Sequence, residues 1–342
     1  MSKRDHILVG LDIGTTKICA IVAEVPEEGP LNIIGVGSCP SRGLRKGVVV
    51  NIESTVESIK KAVEEAELMA AVQINSVYTG IAGSHISGEN LKGVVALKKQ
   101  EVTRDDISRA VESARTLAVI PHERRILHVL PREFMVDDQE GVREPLGMSG
   151  NRLEVNVHVI TGAVTSAQNI IKSVNRAGLD VVDIILQPLA SSEAVLSAEE
   201  RELGVAMVDL GGGTTDLAIF LDGSIRHTAV LPIGGQNLTK DLAIGLLTSQ
   251  TDAEKIKVQH GIARTELVHG HQMVEVPSVG DRPPRQFTRR DIAEILEPRV
   301  EEMFDLVKRE IVRAGYEGML GAGVVITGGT SLLEGMPDAA ER

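Results

Sequence analysis

Two short phrases, Leu11-Asp12-Ile13-Gly14-Thr15-Thr16-Lys17 and Val208-Asp209-Leu210-Gly211-Gly212-Gly213-Thr214-Thr215-Asp216, repeat one order of Asp, Gly and Thr-Thr in the two halves of the chain. Each lies between aliphatic runs (Ile7 to Leu11 and Ile18 to Val22; Val205 to Leu210 and Leu217 to Leu221), a pattern that predicts two hairpins turned by glycine. Successive turn N–H groups form an anion-binding concavity, and glycine lets the backbone approach phosphate oxygens without a Cβ clash. Asp12 and Asp209 then stand where a hydrated Mg2+ would, since that ion keeps several waters and takes one or two carboxylates beside phosphates. Either phrase alone is also what an ordinary glycine hairpin looks like. Two matched copies instead predict a clamp that closes on one nucleotide from two lobes.

With 342 residues, of which 42% are hydrophobic, the chain can bury the cores of about two domains. Those cores must be aliphatic, because there is no Trp, two Tyr and four Phe. The net charge of −12 opposes attraction to phosphodiester backbones and to anionic lipid, and stacking surfaces for bases are scarce, so no nucleic-acid partner is expected. Two cysteines, Cys19 and Cys39, make no disulfide framework, and the Met-Ser-Lys-Arg-Asp opening begins no signal segment. A reducing cytoplasm is the expected compartment. No apolar run reaches the ~20 residues that cross a bilayer, so any membrane contact is expected to be peripheral.

Strands are expected at 31–36 and 47–50, a helix at 54–71 capped by Ser54 with Glu57, and a strand at 76–82. After Gly83-Ser84 comes a polar strand (86–97), a helix (103–118) capped by Thr103 with Asp106, and an alternating strand (153–160). Residues 84–162 therefore read as a small inserted α+β subdomain. A capped helix at 165–177, a strand at 181–186 and a helix at 188–196 resume the first lobe, expected to comprise 1–83 and 163–200. The second lobe is expected at 201–240 and 300–342, with its small subdomain, polar and turn-rich between Gln250 and Thr288, at 241–299. Thr288 with Asp291 caps a helix there, and Pro298 is expected to start a second helical segment.

The layout of strand, phosphate loop, insertion, strand, phosphate loop and a terminal Gly-Gly resembles the actin-like ATPase superfamily. Gly10 to Lys17, Leu186-Gln187-Pro188-Leu189-Ala190, Val325-Ile326-Thr327-Gly328-Gly329 and the stretch Val274 to Gly280 leading to Arg282-Pro283-Pro284-Arg285 narrow the resemblance to the bacterial FtsA division family, over essentially the whole chain. The resemblance implies an α/β actin-like ATPase fold, with two lobes of duplicated mixed β-sheets flanked by helices and an inserted small α+β subdomain. It implies a protein that polymerises and tethers the tubulin-like GTPase FtsZ to the cytoplasmic face of the inner membrane at the division site, with other division proteins meeting residues 84–162. It places Asp12, Gly14, Thr15, Thr16 and Lys17 in one phosphate loop and Asp209, Gly211, Gly212, Gly213, Thr214 and Thr215 in the other, holding ATP and Mg2+. Gln187 falls at the position that orients the attacking water. Gly328, Gly329 and Ser331 would lie against the adenosine, with Glu254 and Lys257 as ribose or base contacts. The family continues past Arg342 into an amphipathic membrane helix, so the chain is expected to be a fragment without that anchor.

Phosphoryl transfer needs mainly positioning and charge stabilisation, which these loops, Lys17 and Mg2+ can supply. Gln187 orients water but cannot take its proton, so hydrolysis is expected to be slow. A strand-end amide explains Gln187, and a solvated hairpin lysine Lys17, in purely structural terms. Thr15 and Thr16 separate Gly14 from Lys17, which excludes a Gly-Lys-Ser/Thr P-loop, and His269-Gly270-His271 lacks further ligands at metal-binding spacing. The basic group Arg282, Arg285, Arg289 and Arg290 is either a solvated turn or a dock for an acidic or carboxylate-terminated peptide, the FtsZ tail on the family's pattern. A small-molecule kinase and an ATP-binding adaptor of pilus or shell assembly are the alternatives on this fold. A kinase would need a carboxylate base for its acceptor, and none outside the phosphate loops presents itself.

Overall fold

The alternating aliphatic residues of Ile7–Ile13 (β1) and Lys17–Glu24 (β2) form an antiparallel pair in which Asp12 lies opposite Cys19 and Ile13 opposite Ile18. The computed structural model describes residues 7–280 and 282–341. The Met-Ser-Lys-Arg-Asp opening and Arg342, expected within the two lobes, lie outside them. Asn32–Pro40 (β3) extends the sheet beyond β2. The strand expected at 47–50 does not join it; Leu44–Arg45 (β4) and Val48–Val49 (β5) pair only with each other, because Gly43, Lys46 and Gly47 all adopt positive φ and reverse the chain. Ile52–Ala70 (α1) starts earlier than expected: Asn51 caps it by accepting the Ser54 N–H at 3.0 Å, so Ser54 lies inside the first turn. Ser76–Ile81 (β6) runs parallel to β1.

The inserted unit comprises Ser87–Ala96 (β7), Arg104–Leu117 (α2), Arg124–Val136 (β8), Gln139–Val142 (β9) and Arg152–Ala163 (β10), with sheet order β7-β10-β8-β9. The Thr103–Asp106 capping box forms as expected, and α2 seats Ala110 and Ala114 on the sheet. Val164–Arg176 (α3) begins one residue before Thr165 and has no side-chain cap. Asp180–Leu186 (β11) then completes the first-lobe sheet in the order β11-β6-β1-β2-β3, and Gln187–Val195 (α4) and Ala198–Leu203 (α5) lead to the second lobe.

Val205–Leu210 (β12), Thr215–Leu221 (β13) and Ser224–Leu231 (β14) repeat the opening hairpin with one further strand. Gly235–Gly245 (α6), Gln250–His260 (α7), Met273–Val276 (β15), Arg285–Thr288 (β16), Arg289–Arg313 (α8), Val324–Thr327 (β17) and Met336–Ala340 (α9) complete it. Within 250–288, α7 is the helix that the resemblance implies after Thr251, and the turn-rich remainder contains an antiparallel β15–β16 hairpin. Each phosphate hairpin has the same setting: β1 and β12 pair antiparallel with the strand that follows and parallel with a later one, β6 or β17.

Pro298 does not begin a new helix; α8 runs through it. Ile292, Leu296, Val300, Met303, Val307 and Ile311 form one buried stripe across the proline. At ~1.5–3 kcal/mol for each large apolar side chain fully buried, that stripe outweighs the ~3 kcal/mol cost of an interior proline. The expected subdomain border at 299/300 accordingly falls inside one helix, and residues from both sides of it share one core with Leu238, Ala253 and Val274.

Helix α1 lies unusually close to β3 because Gly35 and Gly37 present no side chain to it; a Cβ on Gly37 would overlap the Ala62 carbonyl oxygen. Gly37→Ala is expected to lower stability by ~1–3 kcal/mol through overpacking, read from the urea midpoint. An unchanged midpoint would show that α1 can move off the sheet freely.

Candidate nucleotide site

The two hairpin tips meet directly. A Cβ on Gly212 would lie 2.7 Å from Thr16 Oγ1, and one on Gly213 would lie 2.6 Å from Thr15 Oγ1, so only glycine permits this approach. Thr15 Oγ1 also accepts the Gly47 N–H at 2.9 Å, which ties the first tip to the short β4–β5 hairpin. In the second tip, the Gly211 and Gly212 carbonyls accept the Gly235 and Gln236 N–H groups at 2.9 and 2.8 Å, so the start of α6 holds that loop. A cleft of about 900 Å³ opens over the junction, within the size range of small-molecule sites. Asp12, Gly14, Thr15, Thr16, Lys17, Asp209, Gly211, Gly212, Gly213 and Thr214 all line it.

Three carboxyls converge on its floor. Burial, and then the neighbouring Asp209, push Asp12 up to about 6, against the opposing pull of Lys17 and the Gln187 amide. Asp216 is pushed up to about 7, by burial first and then by Asp209. Asp209 is raised by burial although Ser191 Oγ donates to it at 2.9 Å. Asp216 accepts from Thr214 Oγ1 at 3.1 Å with one oxygen, while its other oxygen is buried with no partner. Such a set is short of positive charge. No cage of three or more metal-ligating side chains occurs among the described residues, which suits an ion that keeps most of its water and uses phosphate oxygens. The chemistry of these residues fits hydrated Mg2+, which Asp12 and Asp209 would hold through its waters.

Gln187 is brought to the same floor by the β11–α4 junction, and its Nε2 donates to Asp12 Oδ1 at 2.6 Å. Gly80 makes room for it, since a Cβ there would lie 2.7 Å from Gln187 Cγ. On the opposite wall, Lys257 Nζ donates to Thr239 Oγ1 at 2.9 Å, to Glu254 at 2.7 Å and to the Gly235 carbonyl at 3.2 Å. Glu254, Lys257, Gly328 and Gly329 line the cleft as expected residues of one wall.

Two expected residues do not face it. Thr215 is fully buried and its hydroxyl donates to the Ile233 carbonyl, because alternation along β13 turns it into the sheet core. Ser331 folds back to donate to the Gly328 carbonyl, and its neighbour Thr330 lines the cleft instead, bonding the Gly211 carbonyl at 3.0 Å. Sequence reasoning missed Asp216, Ser191 and Thr330. Asp216 was findable, because it occupies the place in the second phrase that Lys17 holds in the first; the other two depend on tertiary packing.

The four arginines do not form one free patch. Arg289 lines the cleft, donating to the His260 carbonyl at 3.1 Å and pairing with Glu334. Arg285 donates to the Leu246 carbonyl and lies over the Phe287 ring. Arg282 and Arg290 are exposed, the latter with Glu294 one turn along α8.

Comparison with known families bears on this arrangement. Residues 83–161 match the family model described as the SHS2 domain inserted in FTSA, and residues 206–342 match that of cell division protein FtsA. Cell division protein FtsA of Pseudomonas aeruginosa is 53% identical over 336 residues, 98% of this chain and 80% of that protein. The Escherichia coli K12 protein of the same name is 47% identical, over 98% of this chain and 81% of its own length. This chain belongs to the FtsA family of cell division proteins. Solved structures share the FtsA-like architecture at low identity: the PilM-PilN type IV pilus biogenesis complex (TM-score 0.67, 18% identity, 98% of this chain and 86% of that one) and MreB5 of Spiroplasma citri bound to AMPPNP (0.57, 14%, 96% and 86%). These likenesses establish the actin-like fold that the resemblance implied.

The acidic floor makes a pH prediction. A carboxyl whose folded pKa lies above its unfolded value favours folding when protonated, so its contribution is complete below about pH 4 and is lost as pH rises through about 6 to 7. Without divalent ions, stability is expected to fall between pH 5 and pH 8. Asp216→Asn should recover on the order of 2–4 kcal/mol at pH 8 and flatten that slope, as read by chemical denaturation at each pH. An equally steep slope in the variant would remove Asp216 as its source.

Proposed function

We propose that this FtsA-family chain binds ATP with Mg2+ between its lobes and uses the nucleotide as a switch for self-assembly in cell division. In this reading the assembled protein lies at the cytoplasmic face of the inner membrane and links the tubulin-like GTPase FtsZ to it, with later division proteins meeting the inserted subdomain. The observation that carries the nucleotide reading is the direct apposition of two glycine loops over three convergent carboxyls, of which Asp216 is buried. Turn N–H groups and Thr hydroxyls would hold the phosphates, Lys17 would offset their charge, and Asp12 and Asp209 would orient the waters of Mg2+, which itself would neutralise the β- and γ-phosphate oxygens. Gln187 would hold the attacking water by its amide. It takes no proton, so turnover is slow and nucleotide identity, not flux, carries the signal.

Asp12→Ala with Asp209→Ala should weaken Mg2+-dependent ATP binding by at least about a hundredfold, the scale set by losing two charge-assisted contacts. Equilibrium dialysis with and without Mg2+ measures it, and undiminished binding would refute the clamp.

For the FtsZ contact, the exposed Arg282 and Arg290 are better placed than Arg285 and Arg289, whose guanidinium groups already serve internal acceptors. Arg282→Glu with Arg290→Glu is expected to weaken binding of an FtsZ C-terminal tail peptide about tenfold or more and to leave ATP binding intact. Arg289→Glu should instead disturb the nucleotide. Fluorescence anisotropy of a labelled tail peptide separates the two; equal peptide affinity in the double variant would move the dock elsewhere.

A further inference from the structure

The inserted subdomain reaches the nucleotide cleft from behind through a single imidazole. Strand β11 is the edge of the first-lobe sheet, with β6 as its only strand partner among the described residues. At its last residue the Leu186 N–H donates to His128 Nε2 on β8 of the inserted unit, at 3.0 Å. The next residue is Gln187, whose amide donates to Asp12. Leu186 is also the residue from which α4 departs, and no side chain caps that helix start. The main chain that aims Gln187 therefore donates a hydrogen bond to a body outside its own lobe. Burial lowers the His128 pKa, against the opposing pull of Asp183 on β11, which favours the neutral ring whose Nε2 accepts the Leu186 N–H.

That body is itself fixed to the second lobe. His158 on β10 is fully buried and joins Asn90 Oδ1 on β7 at 2.7 Å to Thr228 Oγ1 on β14 at 3.0 Å. Asn90 Nδ2 donates to the Arg226 carbonyl at 3.2 Å, and Ser224 Oγ donates to the Arg132 carbonyl at 2.8 Å. An unbroken set of contacts thus runs from β14 through the inserted sheet to His128, Leu186, Gln187 and Asp12.

We propose that His128 is a positioning residue for the nucleotide site: it fixes the chain just before Gln187, so that the seating of the inserted subdomain on the second lobe sets how Gln187 meets the first phosphate loop. The inference rests on the nucleotide reading of the cleft and adds a route by which anything that binds or tilts residues 84–162 alters the nucleotide.

The test compares His128→Phe, which keeps the ring but removes the acceptor, with His128→Gln, which can restore one. Three quantities are read on the intact chain: hydrogen exchange of the Leu186 amide, dissociation of a fluorescent ATP analogue in Mg2+, and single-turnover hydrolysis. His128→Phe should speed Leu186 exchange and change the dissociation or hydrolysis rate by about five- to tenfold, the scale of one lost hydrogen bond, with His128→Gln near the parent. Faster exchange with both nucleotide rates unchanged would reduce His128 to an edge cap and overturn the proposal. So would equal defects in both variants. Failure of the parent chain to bind the analogue at all would instead defeat the nucleotide reading, and the proposal with it.

Discussion

Everything in the cleft follows from two glycine turns lying in van der Waals contact across the lobes. Gly212 and Gly213 have no Cβ, so Thr16 and Thr15 can press against their backbone, and the carboxyls behind each turn are carried onto one floor. Desolvation raises the pKa of Asp12, Asp209 and Asp216, and the charge of Asp209 adds to it for Asp12 and Asp216, so the ionised floor is unfavourable without a cation. A cation bound at such a site would remove a penalty as well as add contacts. In the proposed reading this is a basis for a switch, since Mg2+ and phosphates would give the lobes a reason to change their fit.

The surrounding structure keeps those turns in register. The same setting occurs twice, a hairpin with a parallel strand on its other side, and each copy buries an aliphatic sheet face that needs no aromatic residue. Helix α8 shows how strongly the core governs local preference, since its apolar stripe continues across Pro298. The inserted subdomain departs from this economy of aliphatic packing. Besides Leu130, which packs on the second-lobe core, its contacts with that lobe include polar, partly buried ones centred on His158, Asn90, Thr228 and Arg226. Polar contacts of this kind are directional, so they resist sliding and transmit a displacement of one body to the other.

Much was legible in the chain itself. Repetition of Asp, Gly and Thr-Thr between aliphatic runs identified both hairpins, and the Thr103–Asp106 and Thr288–Asp291 boxes marked two helix starts, because caps and tight turns are decided by neighbours in sequence. What stayed hidden depends on distant partners. Asn51 rather than Ser54 begins α1, Thr215 turns into its sheet, Ser331 yields its place to Thr330, and Arg285 and Arg289 spend their charge inside the fold.

The sequence by itself determined that two matched glycine turns exist, that the lobe cores are aliphatic, and that a separate α+β unit interrupts the first lobe, since these rest on local spacing and composition. Only the tertiary structure decided that the two turns touch, that Asp216 and Ser191 join their carboxylates, and that His128 of the inserted unit holds the chain beside Gln187. Those are relations between residues far apart in the chain, set by how sheets and lobes pack, and no local pattern encodes them.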